Sequence, residues 1–180
     1  HIQTDISVAV DHPYVITNDP SKEIENIPSW ILEFLKKSFI KNTSPKLPKK
    51  IYIDRKDAKS NHSYLRQIIN ENEIKEFLIK KGYSIISLSD LSFSKQVDLF
   101  NNALSIIGLH GAGFANITFC KPGTQRIELK SNSAGQMYSN LAHKLNLKYD
   151  EISIKPLKNS NNDQQGLINI PLNLLGKKIS

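Results

Sequence analysis

One cysteine, one tryptophan and one methionine in 180 residues remove several kinds of chemistry at the outset. Cys120 alone excludes an intrachain disulfide framework and a cysteine-based zinc site. No apolar run approaches the roughly 20 residues that span a bilayer, so no transmembrane segment is expected. No Asp-x-Asp cluster offers a seat for a divalent ion, and His12, His62 and His143 lack the spacing of metal ligands. Neither a metal nor a cofactor is therefore expected. Acidic residues are also in deficit, 17 against 24 Lys and Arg, for a net charge of +7. Such a balance admits anionic partners: nucleic acid, a membrane surface or a phosphorylated small molecule. The lysines are scattered, apart from Lys46, Lys49 and Lys50 beside two prolines, and no aromatic-interleaved basic stripe appears. A nucleic-acid partner is not expected.

What is present suits a globular chain. Hydrophobic residues make up 39% and charged residues 23%, enough for a moderate core and against wholesale disorder. The first residue is His1, with no basic region leading into an apolar stretch, so a chain cut from a longer protein is expected. Asn42, Asn61 and Asn116 each open an N-x-Ser/Thr triplet, which chance explains in so Asn-rich a chain.

Residues 1–48 are broken by Pro13, Pro20, Pro28, Pro45 and Pro48. Only 28–41 reads as a helix, with Trp30, Ile31, Phe34, Leu35 and Phe39 as its apolar stripe. This segment is read as a connector docked on the main domain. From residue 49 to 180 the pattern is regular. Ile51-Tyr52-Ile53 is a short strand, and Asn70 with Glu73 reads as a capping box opening a helix that Lys81-Gly82 stops. A strand comes next at 83–88, then a helix from Ser94 carrying Val97, Leu99 and Phe100. The continuous apolar run 104–109 marks a strand buried on both faces. After a short helix come a strand at 125–129, a helix at 134–145, a strand at 147–154, a polar loop at 159–165 and a final helix near Pro171. Alternating strands and helices with short joints predict an α/β, Rossmann-like fold with a mostly parallel sheet flanked by helices. Such sheets bind ligands beyond the carboxyl ends of their strands, which directs attention to Arg55, His110 and Glu128.

His110-Gly111-Ala112-Gly113 comes directly after the buried strand. Small residues let the backbone approach a bound group, and the helix start behind them supplies N–H groups for an anion. The same residues also fit a tight turn that serves packing alone. Arg55 ends the first strand and Arg66 precedes the next helix; two guanidinium groups at one sheet edge suit a diphosphate, though each is compatible with plain surface. Glu128 ends its strand, where a carboxylate accepts from a ribose diol or caps a neighbouring turn. Asp54 and Asp57 flank Arg55 and most simply pair with it.

Taken together, Ile51-Tyr52-Ile53-Asp54-Arg55, Arg66, Asn70-Glu71, Gly82-Tyr83, Gln96 and Phe100 resemble the nucleotide-binding half of family 61 glycosyltransferases. So do Gly108-Leu109-His110-Gly111-Ala112-Gly113-Phe114-Ala115-Asn116, Phe119, Pro122-Gly123 and Ile127-Glu128-Leu129. Tyr138, Leu141-Ala142, Leu147 and Tyr149 look like the family's next helix and strand. The resemblance runs from about Pro28 to the end. It implies the C-terminal half of a GT-B enzyme, a donor-binding domain of an inverting transferase that moves sugar from a nucleotide-sugar, commonly UDP-linked, to a glycan or polysaccharide acceptor. It further implies an N-terminal acceptor domain absent from this chain, which alone would bind donor weakly and transfer nothing.

Carried over by residue, the resemblance sets His110 as a catalytic group at the diphosphate and Arg55, Arg66, Gly111, Ala112, Gly113, Asn116 and Glu128 as substrate-binding residues. Gln96 is expected to anchor the turn. The implied compartment is the bacterial cytoplasm at the inner membrane surface, or the Golgi or reticulum lumen for a eukaryotic relative. A non-catalytic nucleotide or sugar-phosphate binding module is the alternative, with a basic nucleic-acid-binding domain the third.

Overall fold

The computed structural model describes residues 27–41, 46–55, 67–157 and 167–179. Along them run α1 (Ser29–Phe39), β1 (Lys50–Asp54), β2 (Gln67–Ile68), α2 (Glu71–Lys80), β3 (Ser84–Ser87), α3 (Phe93–Asn102), β4 (Ser105–Leu109), β5 (Gln125–Ser131), α4 (Met137–Lys144), β6 (Lys148–Ile154), β7 (Leu167–Ile168) and α5 (Leu172–Lys178). A 3-10 helix, Ala112–Phe119, joins β4 to β5. Five strands form one parallel sheet in the order β3-β1-β4-β5-β6. The strand order reverses between β1 and β4, whose outgoing connections leave in opposite directions along the sheet. That reversal opens a crevice at the strands' carboxyl ends.

Side chains alternate across the sheet, and each face has its own core. Ile51, Ile53 and Ile106 point to one side, into Leu32 of α1, Val97 and Phe100 of α3, Phe114 and Ile117 of the 3-10 helix, and Leu141 of α4. Tyr52, Ile107, Ile127 and Leu129 point to the other, onto Ile74 and Leu78 of α2, Ile168 and Ile170 around β7, and Leu175 of α5. Every residue of β4 is buried, as its apolar run predicts for a central parallel strand. Each fully buried Ile or Leu contributes about 1.5–3 kcal/mol relative to exposure, so the two layers together hold the sheet.

Helix boundaries reflect local chemistry. Gly82 takes a left-handed φ of 81°, letting Tyr83 N–H reach Leu78 O and Gly82 N–H reach Ile79 O to close α2. Asn146, at φ 54°, closes α4 in the same way.

Three local expectations give way. α3 begins one residue before Ser94, because the Ser92 hydroxyl accepts from the Lys95 N–H and Phe93 opens the helix. Asn70 does precede α2, but its side chain makes no cap. Its amide clasps Ile170 instead, donating to Ile170 O at 2.8 Å and accepting from Ile170 N–H at 3.0 Å. In α1 the face on the core is Leu32 with Leu35 and Phe39 beside it, while Trp30 and Phe34 of the expected stripe are 52% and 61% exposed. The two-residue strands β2 and β7, which pair with each other in parallel, carry no periodicity long enough to be read. The polar loop expected at 159–165 lies outside the described residues.

Candidate functional site

The crevice between β1 and β4 holds a pocket of about 450 Å³, within the roughly 300–1,000 Å³ of small-molecule sites. Asp54 and Arg55 reach it from the end of β1, Leu88 and Ser89 from beyond β3, and Gln96 from α3. The turn after β4 supplies Gly111, Ala112 and Gly113, with Phe114 and Asn116 from the 3-10 helix behind it. Five of the sequence-predicted residues, Arg55, Gly111, Ala112, Gly113 and Asn116, thus share one space. Arg66 lies outside the described residues, as does Asp57.

Arg55 is half-buried, and its Nη1 is inaccessible to solvent yet has no hydrogen-bond partner among the described residues. An unsatisfied buried donor costs about 1–3 kcal/mol, more when charged, until an acceptor arrives. Asp54 does not supply one; it pairs with Lys75 of α2 at 2.9 Å, which corrects the Asp54 half of the expected pairing with Arg55, while the Asp57 half lies outside the described residues. Two glycines around the turn are also packing residues. A Cβ on Gly113 would stand 3.1 Å from Leu88 Cδ1, and one on Gly108 3.1 Å from Ile53 Cβ and 3.3 Å from Phe114 Cζ. Gly111 is simply extended, with φ 165°.

Gln96 ties the turn to the loop opposite. Its Nε2 donates to Leu88 O at 2.9 Å and Leu91 O at 3.1 Å, and its Oε1 accepts from Asn116 Nδ2 at 2.9 Å. This is the anchoring geometry the sequence suggested for Gln96.

His110 and Glu128 sit apart from the pocket lining, directly behind the turn. The imidazole Nδ1 is 2.6 Å from Glu128 Oε1, and the ring meets Tyr138 edge-on at 5.1 Å. The His110 backbone N–H donates to Leu129 O. Glu128, 1% exposed, also faces Arg126 Nη2 at 3.1 Å and accepts from the Tyr149 hydroxyl at 3.0 Å, both through Oε2. Burial alone would raise its pKa. The His110 hydrogen bond and the Arg126 charge outweigh burial and hold the carboxyl below the usual carboxylate range. In this arrangement Glu128 reaches the turn through His110 and not by facing the pocket.

Arg126 is a residue the sequence pattern does not single out. It is completely buried, with its guanidinium carbon 4.2 Å from the Phe114 ring centroid, 5.0 Å from Tyr149 and 5.4 Å from Tyr138. Its Nη1 donates to Tyr138 O, whereas Nε and Nη2 make no aligned hydrogen bond. The aromatic faces and the Glu128 charge stand in for them. Burial lowers the Arg126 pKa, and the neighbouring Glu128 works against that. Farther along β5, Lys130 pairs with Glu151 at 3.2 Å, and the Tyr149 hydroxyl lies 2.5 Å from the same Glu151 oxygen. Arg126, Glu128 and Lys130 alternate with Ile127 and Leu129, a pattern that reads as a strand with one wet face. Only the cover from Phe114 of the 3-10 helix, Tyr138 of α4 and Tyr149 of β6, invisible in the strand itself, reveals it as buried. Cys120 is inert: burial pushes its thiol up to about 12.

Among the described residues, no group of three His, Cys, Asp or Glu side chains could hold a metal ion. No described helix is long and apolar enough to cross a membrane.

A five-stranded parallel sheet flanked by helices, with a crevice at its strand-order reversal, defines the class: an α/β protein. Residues 3–127 match the sequence family Glycosyltransferase 61, and over that majority of its length the chain belongs to this family. Membership implies glycosyltransferase activity, with a sugar donor and an acceptor as the substrates. The match starts inside the segment read as a connector and ends at Ile127, one residue before Glu128. No curated protein matches the chain.

Proposed function

We propose that the crevice receives the diphosphate of a nucleotide-sugar, commonly UDP-linked in relatives of the kind the sequence resembles, and that this chain is the donor-binding half of an inverting GT-B transferase. The observation that carries the reading is Arg55, which lines the pocket and has a buried Nη1 with no acceptor among the described residues. A diphosphate oxygen supplies the missing partner, and guanidinium suits it better than a point charge. The 3-10 helix opens at Ala112 beside the same space, and Ala112 and Gly113 line it.

In sugar transfer the bond from the anomeric carbon to the diphosphate oxygen breaks, and negative charge grows on that oxygen. Donors already fixed in place stabilise the charge without reorganisation. Arg55 and the turn serve that purpose in this reading. His110 enters as the group that holds the turn, since its ring packs on Glu128 and Tyr138. The base that takes the acceptor proton would come from an acceptor domain, on the opposite side of the sugar.

Calorimetry of the chain against UDP, GDP, CMP and AMP tests the reading. Selective UDP binding, weakened at least tenfold by Arg55→Ala, is the expected result; one charge-assisted hydrogen bond of about 1.5–3 kcal/mol accounts for that factor. Equal binding by wild type and Arg55→Ala would remove the guanidinium from the site. Absence of binding to all of the nucleotides would end the donor reading.

A further inference from the structure

The crevice has a donor side and an acceptor side, and the second is set by a side-chain relay. Leu88 O and Leu91 O can only accept, so the Gln96 atom that meets both of them must be the amide nitrogen. The other Gln96 atom is then the carbonyl oxygen, which must receive a proton from Asn116. That fixes Nδ2 of Asn116 inward, on Gln96, and leaves its Oδ1 as the remaining polar atom of a side chain that lines the pocket. No described residue donates to that oxygen, and it is not among the buried unsatisfied atoms, so it meets solvent in the crevice.

Building on the donor-site reading, we propose that Asn116 is a specificity-determining acceptor, oriented by Gln96, that selects a ligand carrying an O–H or N–H donor beside its anionic group. Arg55 takes the anion and Asn116 Oδ1 takes the donor. Within a nucleoside diphosphate two groups offer that chemistry: a ribose hydroxyl and the N–H of the base. Inorganic pyrophosphate offers neither: the proton it keeps at neutral pH is a P–O–H on the anionic group itself, and it has no hydroxyl or N–H beside that group. Gln96 is a positioning residue here, acting only through Asn116.

The experiment is calorimetry of the full chain with UDP, 2′-deoxy-UDP and pyrophosphate. The proteins are wild type, Asn116→Leu, Gln96→Leu, the double variant and Arg55→Ala. Asn116→Leu is expected to weaken UDP about tenfold, the worth of one hydrogen bond with its desolvation, and to leave pyrophosphate within about twofold. Gln96→Leu should produce the same change in the ratio of the two affinities, and the double variant no more than either single one. Arg55→Ala should weaken both ligands together. If 2′-deoxy-UDP already binds wild type as weakly as UDP binds Asn116→Leu, the partner is the ribose 2′-hydroxyl; if it binds like UDP, the partner is the base or the 3′-hydroxyl. A UDP affinity untouched by Asn116→Leu, or a parallel loss of UDP and pyrophosphate, overturns the acceptor role while leaving the donor site standing. Wild type that binds neither ligand overturns both.

Discussion

Two polar regions lie at the same sheet, and they are finished to different degrees. Behind β5, Arg126 meets three aromatic rings and Glu128, Glu128 meets His110 and Tyr149, and Lys130 meets Glu151. At the crevice between β1 and β4, Arg55 has a buried nitrogen with no acceptor and Asn116 has an oxygen with no donor from the described residues. The first region uses its charges on itself and fixes the shape of the turn. The second leaves capacity for a molecule from outside. Two arginines in one small domain thus differ in kind: among the described residues Arg126 has Glu128 as its counter-charge and Arg55 has none.

Substitutions sharpen the contrast, beginning with the largest effect. Arg126→Met keeps the volume but leaves Glu128 ionised and buried without its cation, which should destabilise the fold by about 3–5 kcal/mol in urea denaturation. A loss below about 1 kcal/mol would mean that the stack is not the closed unit described. Tyr149→Phe removes a single hydroxyl shared between Glu128 and Glu151, and the expected loss is about 1–3 kcal/mol in the same assay.

Acid should dismantle the closed region before the open one. Glu128 and Glu151 both have folded pKa values held below their ordinary range, Glu151 chiefly by the Tyr149 hydroxyl. A depressed folded pKa contributes stability that is complete above the unfolded value, about 4.3, and disappears as pH falls through the folded one. Urea midpoints measured from about pH 6 to about pH 3 should therefore fall steeply below about pH 4.3. Glu128→Gln should be less stable at neutral pH and show a shallower fall. A slope identical to wild type would assign the acid sensitivity elsewhere.

Smallest in lost stability is Arg55→Met. Because its buried nitrogen has no partner among the described residues to lose, and carries the cost of an unmet donor, the variant should be at least as stable as wild type, with a gain of up to about 1–3 kcal/mol. A stability loss above about 2 kcal/mol would show Arg55 to be tied into the fold and would erase the contrast with Arg126.

Much of the architecture was legible in the sequence, for reasons the same contrast explains. Strands β1, β3, β4, β5 and β6 announce themselves because apolar β-rich runs alternate with helical periods, and Gly82 marks the end of α2 through its backbone. Local polar chemistry misled where a distant partner won. Asn70 sits where a cap belongs, but Ile170 takes its amide; α1 shows a broad apolar stripe, but the sheet accepts only the side carrying Leu32. The crevice residues Arg55 and His110-Gly111-Ala112-Gly113 were legible because they end strands. Arg126 was not, since a charged residue in an alternating strand points to water unless something covers it, and the cover comes from Phe114, Tyr138 and Tyr149 on three separate elements.

The Asn70 clasp also bears on how the protein is born. It joins backbone to side chain across 100 residues, and the pairing of β2 with β7 spans the same distance. Neither can form while the segment around Ile170 is still inside a ribosome. The five-stranded sheet closes with β6, but the layer of α2, β2, β7 and α5 on its second face waits for the stretch through Leu175. Until then Ile74, Leu78 and Ile107 lack the Ile168, Ile170 and Leu175 side chains that complete their cover. The nascent chain therefore carries a sticky apolar surface until that stretch emerges, and chains stopped short of Ile168 are expected to aggregate or be degraded.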